Sequence, residues 1–588
     1  MHKSVKSNKE FKKSLTLIVL SMLLAMSLVC SLEFATALSP YTGVIRITAE
    51  GTVEGTDKIQ RNGNVYTLNG DISGSVGDGA TFISIERDGV FFDGAGKTIR
   101  GINAGVAIGI RGRSDITIKN LRIVDFGTGI ELYTHSLDSN STASNNRIID
   151  NYFENKYWAI DLRGVKGTVS GNTFVSQKRI YGVSFWTNET SFTDNAFING
   201  GLTFMNSGVS NVFSGNTIDG KPLVILEGQS NQIIDGANQV VLINCKDMVV
   251  KNIDSTGLRQ PVMLFGTTST KITNCKTSSI LLTNSHSNTL IGNELTETAF
   301  MGGHGTASVK LLSSHNNTIS GNSLTGNGCY GIILSGSGYN KIEKNSIAST
   351  SPDRAGIQLE SGCENNYIYE NNITAEAYGI YLQTGAEHNV FFKNSITNCK
   401  DSIVMSGSMF NDFLGNTFSG SSRYAVNLAG SDGNNFVWNS FVGNTQVYED
   451  HSTYWMSFTN GSYYAAYTKW DNGVEGNYWS GYTGADADGD GIGETSYHVY
   501  ENFTDHYPLT KPFNTDKIQI DFKEWVPQTP ENTQLQHQNP PTSSSPENDQ
   551  PSDSFPVVPA ATAVGTAVFL ASSILLWYFK RVPKTRLT

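Results

Sequence analysis

From residue 66 to residue 448 the chain repeats one short pattern of polar and apolar positions, Asn-x-apolar-x-x-Asn-x-apolar. It reads Asn288 to Leu295, Asn317 to Leu324, Asn340 to Ile347 and Asn366 to Ile373, then Asn389 to Ile396, Asn411 to Phe418 and Asn434 to Phe441. The second Asn of the unit advances in steps of 29, 23, 26, 23, 22 and 23 residues. Weaker copies place Asn at 151, 172, 195 and 216. A period in this range is the mark of a solenoid. About 22 residues is too short for a pair of helices and suits one coil of three short strands and three corners. Apolar and polar positions alternate within a unit, so Ile319 faces inward and its neighbours outward. Asn tolerates the left-handed backbone of a tight corner, and its amide can join a ladder from coil to coil. The pattern predicts an all-β, right-handed parallel β-helix, the hand following from the bias of parallel crossovers. Roughly 16 coils at about 4.8 Å each give a rod near 75–80 Å long. A leucine-rich-repeat horseshoe is disfavoured because Asn and Ile, not Leu, hold the fixed positions.

Composition agrees with short strands and many turns: 59 Gly, 15 Pro and 16% charged residues in 588. The net charge of −11, with no basic stripe between the ends, argues against a nucleic-acid partner. Six Cys do not make a disulfide scaffold, and the five beyond Cys30 cannot all pair with one another.

The two ends read differently. Lys3, Lys6, Lys9, Lys12 and Lys13 precede an apolar run from Leu15 to Val29 and the small-x-small signal Ala35-Thr36-Ala37, the layout of a secretory signal peptide. Cys30 follows bulky Val29, which disfavours lipidation. Near the other end, Val557 to Phe579 is apolar, uncharged and long enough to span a hydrocarbon core of about 30 Å. Trp577, Tyr578, Lys580, Arg581, Lys584 and Arg586 then set the C-terminus on the cytoplasmic side and the rest outside. The expected organisation is a signal peptide (1–37), an N-terminal cap (38–70), the β-helix repeats (71–450) and a C-terminal cap with an Asp-rich loop (451–515). A disordered Pro/Ser-rich stalk (516–556), one transmembrane helix (557–579) and a cytoplasmic tail (580–588) complete it.

The segment Gly89 to Ile99, followed by Ile116 to Leu121 and Thr128-Gly-Ile130, resembles the entry coils of NosD-like β-helix proteins, which overlap the carbohydrate-binding and sugar-hydrolysis (CASH) group. The closing segment Gly476 to Gly481, Asp486 to Gly493 and Tyr507-Pro-Leu509 continues the likeness, which covers roughly residues 70 to 510. Combined with a stalk and anchor, the pattern resembles archaeal membrane-anchored surface proteins. The resemblance is specific for fold and implies activities as different as binding, surface display, copper-enzyme maturation and polysaccharide cleavage.

Candidate chemistry is sparse. Aromatic residues precede a small and an apolar residue at Trp158, Tyr181, Tyr330, Tyr378 and Tyr424. Facing outward, they would form one vertical stripe for sugar rings; facing otherwise, they stack structurally at a corner. Asp353, Arg354, Glu360 and Glu364 lie close in sequence, as a cleft or as a solvated loop. Gly303-His304-Gly305 resembles a polygalacturonase tripeptide without the aspartates and basic triplet that accompany it. Met301 and His304, and Met405 and Met409, are the soft ligands a copper site would use. Cys245, Cys275 and Cys399 each sit in Asn-Cys-Lys and read as small buried corner residues. Asp486, Asp488, Asp490 and Gly491 match the first half of an EF-hand loop, with Glu494 at position 9 and Tyr497 where the bidentate Glu would stand. The expected ligand is structural Ca²⁺, with Asp505 available to complete the shell, against the alternative of a solvated acidic turn. Six sequons, at Asn140, Asn188, Asn316, Asn372, Asn460 and Asn502, are candidates for N-glycosylation. The function these features favour is a non-catalytic surface protein that binds extracellular polysaccharide or surface glycan. The alternatives are a polysaccharide lyase or glycoside hydrolase and a NosD-like metal-handling accessory protein.

Overall fold

The computed structural model describes residues 44–518 apart from 135–142, 177–181, 205–209, 259, 299–305, 444–445, 451–467 and 502. The expected signal peptide, transmembrane helix and tail, and nearly all of the stalk, lie outside the described residues. Among the described residues no helix is long and apolar enough to cross a membrane. They form an all-β parallel β-solenoid of about 15 turns, and a 3-10 turn at Thr515–Lys517 is their only helical element.

One coil of the later part consists of Ile280–Thr283, Thr289–Ile291 and Glu294–Thr298. Each strand pairs in parallel with its counterpart one coil on: Ile280 with Val309, Leu290 with Ile319, Leu295 with Leu324. All six of those side chains are buried, so identical apolar positions stack along the axis. Late in the solenoid the stack is aromatic, Phe391, Phe413 and Phe436 lying nearly parallel and stacked at 4.6 Å between centroids.

The repeating Asn residues form two ladders, one at each end of the second strand of the coil. Asn394 is typical. Its backbone N–H and its Nδ2 both donate to Oδ1 of Asn416, at 2.9 and 3.0 Å. Nδ2 also donates to the carbonyl of Ile368, at 2.7 Å. Its own Oδ1 accepts from the backbone and side chain of Asn371. The side chain thus acts as a short extra strand inside the corner, where no backbone partner is in reach. The residue before each ladder Asn often adopts left-handed angles, as at Lys393 (φ 51°) and Asn316 (φ 59°).

The solenoid is not one continuous rod. Thr217–Ile218 pairs antiparallel with Lys221–Glu227, so the chain reverses at that point. Two separate cores result, one from Ile45 to Ile218 and one from Ile234 onward. The second solenoid closes the first with its flank. Val240, Leu242, Val262 and Leu264 face the second core, while Val241, Ile243, Met263 and Phe265 pack into the first. Gln239 completes the seal. Its Oε1 accepts from the Leu202 N–H at 2.9 Å and its Nε2 donates to the Leu202 carbonyl at 2.7 Å. One amide therefore replaces the strand that would follow Leu202–Phe204. The about 15 turns agree with the roughly 16 coils expected, but the uninterrupted rod does not hold, because the chain reverses after Ile218. At the start of the first, Ile45–Ile47 pairs antiparallel with Val53–Glu54, and Ile59–Asn62 with Val65–Leu68.

The C-terminal end of the second solenoid is covered by two tryptophans. Trp470 stacks on Phe436 at 4.6 Å and Trp479 on Phe441 at 4.2 Å. Tyr497 stacks in turn on Trp479. Buried Asp505 ties these parts together. Its Oδ2 accepts from the Asn477 N–H and from Trp479 Nε1, each at 2.8 Å, and its Oδ1 from the Tyr507 N–H. Loss of hydration on burial pushes its carboxyl up to about 6 despite those bonds, with Asp471 adding repulsion.

That shift fixes the sign of a pH effect. The folded value lies above the unfolded one, so the folded chain takes up the proton first and this group adds stability as pH falls from 7 towards 4. The size is about 3 kcal/mol. Carboxylates held low, such as Glu86 beside Arg46, act in the opposite sense. The comparison is therefore between wild type and Asp505→Asn in thermal melts. The wild type should gain on the variant steadily from pH 7 to 4, and a gap that does not change with pH would refute the assignment.

Candidate functional site

The sequence motif Tyr-Gly-Ile builds an outward aromatic column on the second solenoid. In Tyr330–Ser335 and Tyr378–Leu382 the glycine faces the core at a corner. A Cβ on Gly331 or Gly379 would stand 2.4 or 2.3 Å from Cγ2 of Ile347 or Ile396. With the glycine turned in, the tyrosine turns out and packs on the outer face. Tyr330 joins Ile333, Ala307 and Ala355 in a small cluster separate from the main core, with Tyr378 and Tyr381 against it.

Register places these residues in one line. Ala307 pairs with Tyr330, Ala355 with Tyr378, Tyr378 with Asp401, and Asp401 with Tyr424. With Tyr330 and Ala355 following the offset of Ile332 to Ile357, tyrosine recurs at this strand position on every second coil, separated by a small residue or by Asp401, while Tyr448 of the next coil stacks on Tyr424 at 5.0 Å. Two arginines flank the line. Arg354 Nη1 donates to Tyr330 Oη at 3.2 Å. Arg423 forks onto Asp401, with Nε 2.8 Å from Oδ1 and Nη2 on Oδ2. The Arg423 guanidinium lies 5.1 Å from the Tyr424 ring centre. Tyr330 is buried, whereas Tyr378, Tyr381 and Tyr424 are half-buried.

The expected single stripe is thus only partly formed. Trp158 pairs with Thr128 on the first solenoid and belongs to another surface; Tyr181 lies outside the described residues. Sequence reading missed Tyr381, Arg423 and Asp401, because which outer residues share a line depends on register across coils of unequal length.

The Asp-rich loop folds as a tight turn on the cap. Asp486, Asp488 and Asp490 bring carboxylate oxygens within 4.8 Å of one another. Asp486 Oδ1 accepts from the Gly489 N–H at 2.8 Å and its Oδ2 from the Gly491 N–H at 3.1 Å. Glu494 turns its Oε1 to the Ala487 N–H at 3.1 Å and is not in the close group. The cluster is anchored through Leu509, which bridges to both Ile492 and Tyr478. The donor set, all carboxylate oxygen on an exposed turn, suits a hard cation. Asp505 does not reach it: that carboxylate is spent on the cap.

The other candidates disperse. Met405 is a core residue with no exposed surface, so it does not converge with Met409. Met301 and the Gly303-His304-Gly305 segment lie outside the described residues. His286 and His315 stack at 5.3 Å on neighbouring coils, but each Nδ1 accepts a backbone N–H, from His315 and Gly338 respectively. Neutral, they carry their protons on Nε2 and offer no outward lone pair. None of the five described cysteines forms a disulfide and all are buried, and burial raises the thiols of Cys363 and Cys399 to about 11 and 12.

Carboxylate pairs are equally unpromising. Asp353 accepts from Ser351 and lies 3.5 Å from Arg354, while Glu360 accepts from Gln358. Glu364 stands exposed on a corner. On the first solenoid Glu131 and Asp161 pair across neighbouring coils, an arrangement not read from sequence. Asp161 is 3% exposed and forked by Arg163, so it is closed to substrate. Of the sequons, Asn188 and Asn372 are exposed and Asn316 is half-buried; Asn140, Asn460 and Asn502 lie outside the described residues.

A family model described as "Right handed beta helix region" matches residues 262–418 and 307–479. No curated protein matches the chain in sequence. Similar solved structures include the A-module of the Azotobacter vinelandii mannuronan C-5 epimerase AlgE6, at 13% identity over 59% of this chain and 91% of that one, TM-score 0.23. Others are the Dettilon tailspike protein, at 14% identity over 60% and 62%, TM-score 0.30, and a lidless DFA-IIIase from Arthrobacter chlorophenolicus A6, at 10% identity over 51% and 82%, TM-score 0.25. The matched region falls within the second solenoid and its cap, which this chain shares in sequence with right-handed β-helix regions.

Proposed function

We propose that this chain is a cell-surface protein that binds extracellular polysaccharide or surface glycan without cleaving it. The observation that carries the reading is the register of half-buried Tyr378 and Tyr424 with buried Tyr330 in one line on the outer face, flanked by Arg354 and Arg423. Half-buried tyrosines offer a fixed apolar body and a hydroxyl at low entropic cost, and guanidinium groups add donors. The lyase or hydrolase alternative needs two carboxylates open to one substrate; of those described above, Asp161 and Asp353 are each held by an arginine and Glu360 by Gln358. The NosD-like metal-handling alternative has no converging soft ligands among the described residues. A glycan-array screen of the purified ectodomain should give binding with no release of fragments. Turnover of a uronic-acid polymer would sink the non-catalytic reading.

The same reading places the solenoid outside the cell, held by Val557 to Phe579 through the stalk. Protease added to intact cells should release a soluble fragment cut between residues 516 and 556. Retention of the uncut chain under conditions that digest a control surface protein would contradict that topology.

We assign Asp486, Asp488 and Asp490, with Glu494 directly or through water, to a structural Ca²⁺. Three carboxylates so close repel one another unless a cation offsets them. Calorimetry should show Ca²⁺ binding to the ectodomain and a higher melting temperature, both lost in Asp488→Ala. No heat and no shift in the wild type would remove the site.

A further inference from the structure

We propose that the tyrosine line is a ruler for an uncharged, extended β-1,4-linked polysaccharide lying along the solenoid axis, with one disaccharide per two coils. The proposal rests on the glycan-binding reading and adds the class of glycan. Its basis is the alternation. The line runs Ala307, Tyr330, Ala355, Tyr378, Asp401, Tyr424, so tyrosines stand two coils apart. Two strand spacings amount to about 9.6 Å. In an extended β-1,4 chain successive rings turn over, and every second ring presents the same edge. That repeat of two rings is close in length to two coils, whereas an α-1,4 chain coils and cannot keep step with a straight lattice.

The charge along the line points to a neutral polymer. Asp401 has no exposed surface and is closed by Arg423, and Arg354 has Asp353 at 3.5 Å. The two arginines beside the line therefore each have a carboxylate of their own. A further polar group sits within the patch. Gln358, one strand position beyond Ile357 and 2% exposed, gives its Nε2 to Glu360 at 3.0 Å, while its Oε1 has no hydrogen-bond partner. It pairs in register with Tyr381, beside Tyr378. A buried acceptor without a donor is costly, and a small movement of the half-buried tyrosines would open it to a sugar hydroxyl.

The test is titration of the full ectodomain with cello- and chito-oligosaccharides of two to eight residues, with malto-oligosaccharides as the α-linked control. Affinity should rise with length in steps of two sugars and level off near six, where three tyrosines are spanned. Malto-oligosaccharides should bind at least tenfold more weakly. Tyr378→Phe, which keeps the ring, should weaken the hexasaccharide roughly 3- to 10-fold, and Tyr378→Ala by more, with Trp158→Ala as the variant off the line. Melting curves separate lost binding from lost folding. Binding that ignores length or linkage, or that survives Tyr378→Ala in a folded protein, overturns the ruler and leaves glycan binding standing. Absence of binding to every oligosaccharide here and to the array overturns both.

Discussion

The amide ladder is the constraint on which the rest of the solenoid depends. A parallel coil turns three corners, and at each corner the backbone leaves its sheet with donors and acceptors facing inward. Asn resolves this because its short stem holds both a donor and an acceptor at the depth of a neighbouring strand. Asn345 shows the full set: N–H and Nδ2 to Asn371 Oδ1, Nδ2 to the Ile319 carbonyl, Oδ1 receiving from Asn322. Asp would lose the donor and stack like charges; Gln would overshoot the corner. An unmet buried polar group costs roughly 1–3 kcal/mol, and each rung meets several. Ladder partners are separated by anything from 18 to 38 residues in the chain, so what is fixed is the rung and not the loop between rungs.

That explains what could be read from the sequence. The repeat was visible because the rungs demand one residue type at fixed offsets from the inward Ile, Leu or Phe. The break between solenoids left a different mark. In many coils apolar residues alternate with polar ones, but Val240–Ile243 and Val262–Phe265 are unbroken, buried apolar runs, the pattern of strands buried on both faces. Periodicity alone took them as two more coils. Their second face has a use only if another body packs against it, and that body is the open end of the first solenoid.

The candidate site was legible in the same partial way. Tyr-Gly-Ile could be recognised at 330 and 378, and the glycine is explained by the isoleucine methyl it would strike. Which rings share a line could not be recognised, because it depends on how many coils intervene. Trp158 obeys the same local motif and stands on a different body. Met405 shows how little spacing alone carries: it stands four residues from Met409, and strand parity sends it into the core.

The ladder also has a direction, and this decides the role of Asp505. From Asn to Asn every rung donates forward, towards the C-terminus, and accepts from behind. The first member needs no donor behind it, and Cys275 stands there, giving its backbone N–H to Asn293 Oδ1 at 3.0 Å. The last member, Asn477, has donors with no further Asn to receive them. A group that only accepts is required, and it must lie at core depth. The carbonyl of Trp470 takes one Nδ2 bond at 2.6 Å, and the Asp505 carboxylate takes the backbone N–H. A neutral amide in its place would aim its own donor at another donor. The chain therefore tolerates a buried carboxyl with its affinity for protons raised, because that is how a one-way ladder ends. It follows that Asp505 cannot also serve the acidic loop, although the two lie 15 residues apart from Asp490 in sequence. The loop and the ladder end are separate devices joined through Leu509, one facing solvent and the other closing the core.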